Sequence, residues 1–264
     1  MTEYLFDQLQ DIDLGTKSHL VLFLDYDGTL IRFKNKPDAV KTPAHVQSII
    51  DDLADNTSVT VIVITGRVLS DITRLVDTQK LIVAALHGIE IRYPDGKEFV
   101  WKQAEENQVL IQEIKNRSVQ EFQQVKEIYI EDKKYSMAFH YRQVPTVKSK
   151  DFIEKFISIY KKIDREKKLE VLHGDKVIEI RPKGWNKGKA VEKILKKLKN
   201  KKNDLLPIYI GDDTTDEDAF KFLRRQGLNI YVKNDSELET LAHYYVRNPS
   251  EVYKFLEWLK KNIE

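Results

Sequence analysis

Asp25 and Asp27 stand two residues apart at the end of the apolar run Leu20-Val21-Leu22-Phe23-Leu24, with Gly28 directly after them. Five apolar residues closed by a glycine turn predict a strand buried on both faces, the pattern of a parallel sheet. Residues two apart on a strand project to the same side, so the spacing sets two carboxylates beside each other, and Gly28 lets the chain turn away at once. Burying one charge is costly, and burying two like charges together costs more. A lone Asp-X-Asp would pass as an acidic turn, so the rest of the chain has to decide. A calcium loop does not fit, because an EF-hand needs its Gly at the sixth position and a Glu at the twelfth. Here Gly28 is fourth and Lys36 twelfth.

Three further polar groups fall at comparable places. Thr65 follows the apolar run Ser58–Ile64, Lys187 opens a helical pattern, and Gly211-Asp212-Asp213-Thr214-Thr215-Asp216-Glu217-Asp218 follows the run Pro207–Ile210. Thr215 with Asp218 resembles a helix-capping pair, and acids favour a helix N-terminus. Capping does not explain Asp212 and Asp213. Brought next to Asp25 and Asp27, they would repel by about 4 kcal/mol per close pair even at an effective dielectric of 20. A divalent cation removes the conflict, and oxygen donors with no His or Cys suit Mg²⁺.

The elements that must position these groups alternate. A strand ending at Asp25, a helix over 43–55, a strand over 58–64, a short helix over 69–76 and a strand over 81–86 make a βαβαβ pattern, the grammar of a doubly wound, Rossmann-like α/β fold. In such sheets ligands bind outside the carboxyl ends of the strands. A hairpin around Pro94-Asp95-Gly96 then breaks the alternation. An α+β stretch follows, with helices over 103–122 and 152–163 and strands over 127–131, 135–141, 169–172 and 177–180. It reads as an insertion over 104–181 into a core of 1–103 and 182–264. Helices over 187–199, 216–225, near Glu237 and over 251–262, with strands over 207–210, 229–232 and 244–246, complete the core. The Lys-rich 187–202 stretch is the solvated side of a helix whose apolar stripe is Ala190, Val191, Ile194, Leu195 and Leu198.

Composition narrows the function classes. Among 264 residues, 44 Lys and Arg oppose 42 Asp and Glu for a net charge of +2, so bulk charge does not call for a polyanion. With no cysteine there is no disulfide, thiolate metal site or Cys nucleophile. The N-terminal residues lack the basic start and apolar run of a signal peptide, and no run reaches the roughly 18 apolar residues of a membrane span.

In order, LDYDGTL, VITGR, the Lys187-Gly188 pair and GDDTTDEDAF resemble the four motifs of the haloacid dehalogenase superfamily of phosphohydrolases. HGIEIRYPDG, EDKKYSMAFHYR, EIRPKGWNKGKAV and GDDTTDEDAF are similar to one family within it, the trehalose-6-phosphate phosphatases. The resemblance covers most of the chain and implies an α/β core with an inserted α+β cap that sets specificity. It implies a Mg²⁺-dependent phosphatase acting on trehalose 6-phosphate, in trehalose biosynthesis, through an aspartyl-phosphate.

Asp25 is then the nucleophile and a metal ligand, and Asp27 the acid and base, its backbone carbonyl a further ligand. Asp212 completes the metal ligands, and Asp216 orients a metal-bound water or Lys187. Lys187 and Thr65 bind the phosphoryl group. By the same resemblance Glu131, Lys133, Arg142 and Glu179 bind the sugar hydroxyls, and Arg67 belongs with the substrate-binding residues. Glu90 is a further candidate, and His87 and His140 are packed histidines as readily as functional ones.

Sucrose phosphate and glycosyl-phosphoglycerate are rival substrates of the same chemistry, and a phosphomutase is another option. A non-catalytic phosphate- and Mg²⁺-binding regulator is the alternative from a different class, against which Asp27 counts, since a receiver needs no adjacent acid and base. The expectation is a soluble cytoplasmic enzyme with a small-molecule substrate, no nucleic-acid or membrane partner, and a monomer as the default state.

Overall fold

The computed structural model describes residues 2–14, 19–32, 41–202, 204–234 and 239–263. The helix expected near Glu237 lies outside them. The chain forms two compact units, Met1–Phe99 with Asn186–Glu264, and Val100–Trp185. The second is wider than the expected 104–181. Trp101 and Trp185 stack with ring centroids 5.2 Å apart, which holds both ends of the insertion within its own unit.

The first unit opens with β1 (Glu3–Tyr4), β2 (His19–Asp25), α1 (Ala44–Asp55), β3 (Val59–Ile64), α2 (Leu69–Leu75), β4 (Ile82–Ala85), β5 (Glu90–Arg92) and β6 (Glu98–Val100). The second unit contains α3 (Lys102–Glu106), α4 (Gln108–Phe122), β7 (Tyr129–Asp132), β8 (Met137–His140), α5 (Thr146–Ile163), β9 (Leu169–Gly174) and β10 (Val177–Pro182). The chain returns through α6 (Lys187–Lys199), β11 (Leu205–Gly211), α7 (Glu217–Leu223), β12 (Leu228–Val232), β13 (Tyr244–Val246) and α8 (Pro249–Asn262).

Among the described residues the large sheet runs β1-β13-β12-β11-β2-β3-β4-β5-β6. Its pairs are parallel from β1 to β4, and β5 turns back antiparallel to β4. β2 is buried at every position, as a strand covered on both faces must be. On one side Leu20, Leu22 and Leu24 join Val61, Ile210 and the apolar stripes of α1 and α8 in one core. On the other, Phe23 stacks on Tyr209 at 6.0 Å, and Tyr209 meets Phe220 of α7 edge-on at 5.6 Å. Sandwiched between β11 and β3, β2 delivers Asp25 to the carboxyl edge of the sheet. The two-residue β1, parallel to β13 through Glu3 and Tyr244, is too short for any periodic signal in the sequence.

In the second unit β7-β8-β10-β9 form an antiparallel sheet. Met137, Phe139, Ile178 and Ile180 pack with Ile111 and Ile114 of α4 and Phe156 of α5. Phe139 and Phe156 lie parallel at 4.4 Å. The helix expected over 103–122 is two helices, broken at Asn107, whose side-chain Nδ2 donates to the Gln103 carbonyl at 2.7 Å and so competes with the helical ladder. α5 starts at Thr146, not Phe152. Pro145 precedes its first turn, and the Ser149 hydroxyl donates to the Thr146 carbonyl. Among the described residues no helix is long and apolar enough to cross a membrane.

Gly188, second in α6, sets how closely α6 approaches α7. A Cβ there would lie 2.4 Å from the Asp218 carbonyl oxygen. In a free helix Ala would be favoured over Gly by about 1 kcal/mol. Backbone cannot yield as a flexible side chain would, so the sign reverses. Gly188→Ala is expected to lose about 1–3 kcal/mol of stability, the usual cost of overpacking, read as a lower urea midpoint. An unchanged or higher midpoint would mean that the two helices separate freely.

Candidate active site

The strand order β11-β2-β3 brings the polar ends of three apolar runs to one edge. Asp25, buried, ends β2, and Lys187 starts α6 with its Nζ donating to Asp25 Oδ1 and to Asp216 Oδ1, both at 2.6 Å. Lys187 is 2% exposed and Asp216 0%. Asn186 caps the helix, its Oδ1 accepting from the Lys189 N–H, which fixes where Lys187 emerges.

Asp216 is held from every side. Its Oδ1 also accepts from the Tyr209 hydroxyl at 2.6 Å, and its Oδ2 accepts the backbone N–H groups of Asp212 and Asp213 at 3.1 and 3.0 Å. Four donors fill the lone-pair sites of one carboxylate. The cap here is Asp213 with Asp216, a reciprocal box, rather than the expected Thr215 with Asp218. Asp216 fits better as the side chain that orders its neighbours than as a direct ligand.

Gly28, with φ +88°, sits against Asp212, and a Cβ there would fall 1.9 Å from Asp212 Oδ2. Thr29 donates its hydroxyl to Asp212 Oδ1 at 3.1 Å, and Asn234 donates to the Gly28 carbonyl at 2.6 Å. Carboxylate oxygens of Asp25, Asp212 and Asp216 all lie within 4.8 Å of one another. Three carboxylates against one ammonium leave a deficit of positive charge among hard oxygen donors. The donor set fits a divalent cation.

Burial pushes the Asp25 carboxyl well above the usual carboxylate range, with Lys187 pulling the other way. Burial likewise raises Asp212, to about 7, with the charge of Asp216 adding to the rise. For Lys187 burial opposes the charge, but the carboxylates of Asp216 and Asp25 outweigh it and hold the ammonium protonated.

The Asp27 carboxylate points elsewhere. Arg67 grips it with a fork, Nε to Oδ2 and Nη2 to Oδ1, both 2.6 Å, and lies 5.7 Å above the Tyr26 ring. The side chain of Asp27 is thus outside the acidic triad. Thr65 is buried, and its Oγ1 accepts the Arg67 N–H at 3.2 Å. His87, at φ 56°, packs its ring over Gly66, where a Cβ would lie 2.9 Å from it. Glu90 is buried in β5.

In the second unit, Lys133 Nζ donates to Glu179 Oε2 at 2.8 Å, and Glu131 Oε2 lies 2.8 Å from His140 Nε2. Burial of Glu131 is outweighed by His140 and Lys133, which hold its carboxyl below the usual range. Arg142 stands apart, donating to the Asp175 carboxylate at 2.8 Å in the turn between β9 and β10. Tyr209, Thr29 and Asn234 were not singled out from the sequence as site residues. Tyr209 sits inside an apolar strand, and only its aromatic hydroxyl hinted at a buried polar partner.

Residues 23–250 match the family model described as Trehalose-phosphatase. The chain is 32% identical to trehalose-phosphate phosphatase B of Arabidopsis thaliana, over 98% of this chain and 71% of that protein. It is 35% identical to probable trehalose-phosphate phosphatase G of the same plant, over 92% and 69%. Among solved structures it is similar to a trehalose-6-phosphate phosphatase related protein, with TM-score 0.78 and 24% identity over 91% of this chain and 97% of the other. A haloacid dehalogenase-like hydrolase from Bacteroides thetaiotaomicron has TM-score 0.63 and 15% identity, over 92% and 100%. These structural likenesses carry the fold.

A pH dependence of stability follows from Asp212. Its folded pKa, about 7, exceeds the value near 3.9 expected of an unfolded Asp, so the native chain binds that proton more tightly. The stability it contributes is complete below about pH 4 and is lost as pH rises through about 7. Asp25 acts in the same direction. In EDTA the melting temperature is therefore expected to fall between about pH 5 and 8, while a saturating divalent cation, which favours the ionised carboxylates, flattens the profile. Identical profiles with and without cation would show that the triad holds no metal.

Proposed function

Because the chain belongs to the trehalose-phosphatase family of phosphomonoester hydrolases, we propose that it releases phosphate from trehalose 6-phosphate through a phosphoaspartate on Asp25. The observation that carries this reading is Asp25 at the end of the central strand, tied to Lys187 and Asp216 and two residues from a second carboxylate held by Arg67.

In the first step an Asp25 oxygen attacks phosphorus, the bond from phosphorus to the sugar oxygen breaks, and Asp27 gives that oxygen a proton. In the second, water attacks phosphorus, Asp27 takes its proton, and the bond to Asp25 breaks to free phosphate. The Arg67 fork aims Asp27 and suits the ionised carboxylate that the second step uses. Lys187, the Thr65 hydroxyl and nearby backbone N–H groups take up the charge of the phosphoryl oxygens, at a helix N-terminus that favours anions. Mg²⁺, held by Asp25, Asp212 and the Asp27 carbonyl, supplies when bound the further positive charge that lets a carboxylate approach a phosphate dianion.

Groups that address only phosphate and metal cannot tell one phosphomonoester from another. Glu131, Lys133 and Glu179 are the groups we assign to the sugar hydroxyls. Glu131, held ionised, is an acceptor, and Lys133, half of a partly buried ion pair, is a donor. Arg142, engaged with Asp175, is a peripheral member of this set.

Asp25→Asn is expected to abolish phosphate release while keeping the circular dichroism of the native fold, and excess EDTA to abolish it in the wild type. Undiminished turnover in either case would end the mechanism. Glu131→Ala and Lys133→Ala should each lower kcat/KM for trehalose 6-phosphate about 10- to 100-fold, the weight of a charged hydrogen bond of about 1.5–3 kcal/mol. An aryl phosphate should be turned over within about twofold of wild type. Equal losses on both substrates would give these residues a structural role. A wild-type preference for sucrose 6-phosphate or a glycosyl-phosphoglycerate would replace the substrate while keeping the chemistry.

A further inference from the structure

The polar cluster of the second unit has an aromatic neighbour. Strand β7 alternates, with Ile130 packed into the core against α4 and α5 and Tyr129 and Glu131 on the opposite face. Tyr129 is 64% exposed. The other exposed large hydrophobic side chains among the described residues are the aliphatic Val109, Val119 and Val147. Tyr129 pairs in register with His140 of β8, with ring centroids 5.5 Å apart and planes tilted by 34°. One level along the sheet on the same face, Glu131, Ala138 and Glu179 are aligned across β7, β8 and β10, with Lys133 on Glu179. The His140 bond to Glu131 joins the two levels.

This face offers two kinds of recognition side by side. One level presents charged acceptors and donors, and the next presents a pair of rings. A pyranose has the same division, hydroxyls at its rim and C–H groups on its faces. Aromatic side chains accept such apolar faces while charged groups take the hydroxyls. Two residues along a strand advance about 6.8 Å, on the order of the step from one ring to the next in a disaccharide.

We infer that Tyr129 and His140 form a stacking platform for the second pyranose of a disaccharide phosphate, so that the enzyme counts sugar rings at this face. The inference rests on the substrate reading above and deepens it. Selection for a disaccharide is then a contact made by apolar ring surface, apart from the hydroxyl contacts of Glu131, Lys133 and Glu179. Tyr129 contributes through its ring, and its hydroxyl is dispensable.

The test compares wild type, Tyr129→Ala and Tyr129→Phe on trehalose 6-phosphate, on glucose 6-phosphate, which has one ring, and on an aryl phosphate. Tyr129→Ala is expected to lower kcat/KM for trehalose 6-phosphate about 10-fold or more, mostly through KM, and to leave the other two substrates within about twofold. Tyr129→Phe should match the wild type on all three. Because the side chain is exposed, the melting temperature of both variants should be unchanged. An unaffected Ala variant, or one that loses equally on all three substrates, overturns the inference while leaving the phosphatase reading in place. A Phe variant as impaired as the Ala variant overturns it too, since the hydroxyl would then be the group that matters. A wild type inactive on trehalose 6-phosphate removes the substrate reading first, and this inference with it.

Discussion

A lysine ammonium held between two carboxylates in the dry interior is the constraint around which the rest of the site is arranged. Lys187 donates at 2.6 Å to both Asp25 and Asp216, with 2% of its side chain exposed. Removing one partner of a buried pair costs on the order of 3–5 kcal/mol, because a charge is stranded, so neither the lysine nor the acids can drift. The consequences spread through the backbone. α6 must begin at residue 187, which Asn186 enforces as cap. α7 must come close to that first turn, which the missing side chain of Gly188 permits. Asp216 must keep its position, and Tyr209 with two backbone N–H groups sees to that.

Where Lys187 balances charge, glycine makes room. Gly28 does more than turn the chain after β2. Its absent Cβ is occupied by the carboxylate of Asp212, so two segments far apart in the sequence meet at a point where no other residue fits. The arrangement explains why acids can crowd here at all. Asp216 is satisfied by donors, Asp25 shares Lys187, and among the described residues the donor to the Asp212 side chain is the Thr29 hydroxyl. It is Asp212 whose carboxyl is lifted to about 7 by burial and by Asp216. The group least compensated by the protein itself is the one that gains most from a cation.

The parts of this site legible in the sequence share one property: each is a polar residue where an apolar run stops. Asp25, Thr65 and Asp212 follow buried strands, and Lys187 opens an amphipathic helix, so the sheet order alone collects them. What stayed illegible depends on contacts that no periodicity encodes. The fork by which Arg67 engages Asp27 is an encounter set by how β2 and β3 end side by side. Tyr209 resembles any core aromatic until Asp216 is found beneath its hydroxyl. The break at Asn107 is likewise local chemistry, an amide competing with the helix inside a pattern that otherwise predicts one continuous helix. Short β1 exists only because β13 offers it an edge.

The second unit solves a different problem with a simpler device. An antiparallel sheet covered by helices on one side presents a row of alternate side chains on the other. Exposed Tyr129 can therefore be replaced without unseating the core, in a way that Asp25, Lys187 and Asp216 cannot. Changing one member of the buried triad strands the others, whereas changing one side chain on a sheet face leaves the backbone ladder and the packed core of Phe139 and Phe156 untouched. The buried triad is thus fixed by charges it cannot lose, whereas the sheet face carries a partly exposed cluster whose members Glu131, His140, Lys133 and Glu179 are themselves coupled by hydrogen bonds. By that physical division, side chains along β7, β8 and β10 can be exchanged without displacing the buried network of Asp25, Lys187 and Asp216.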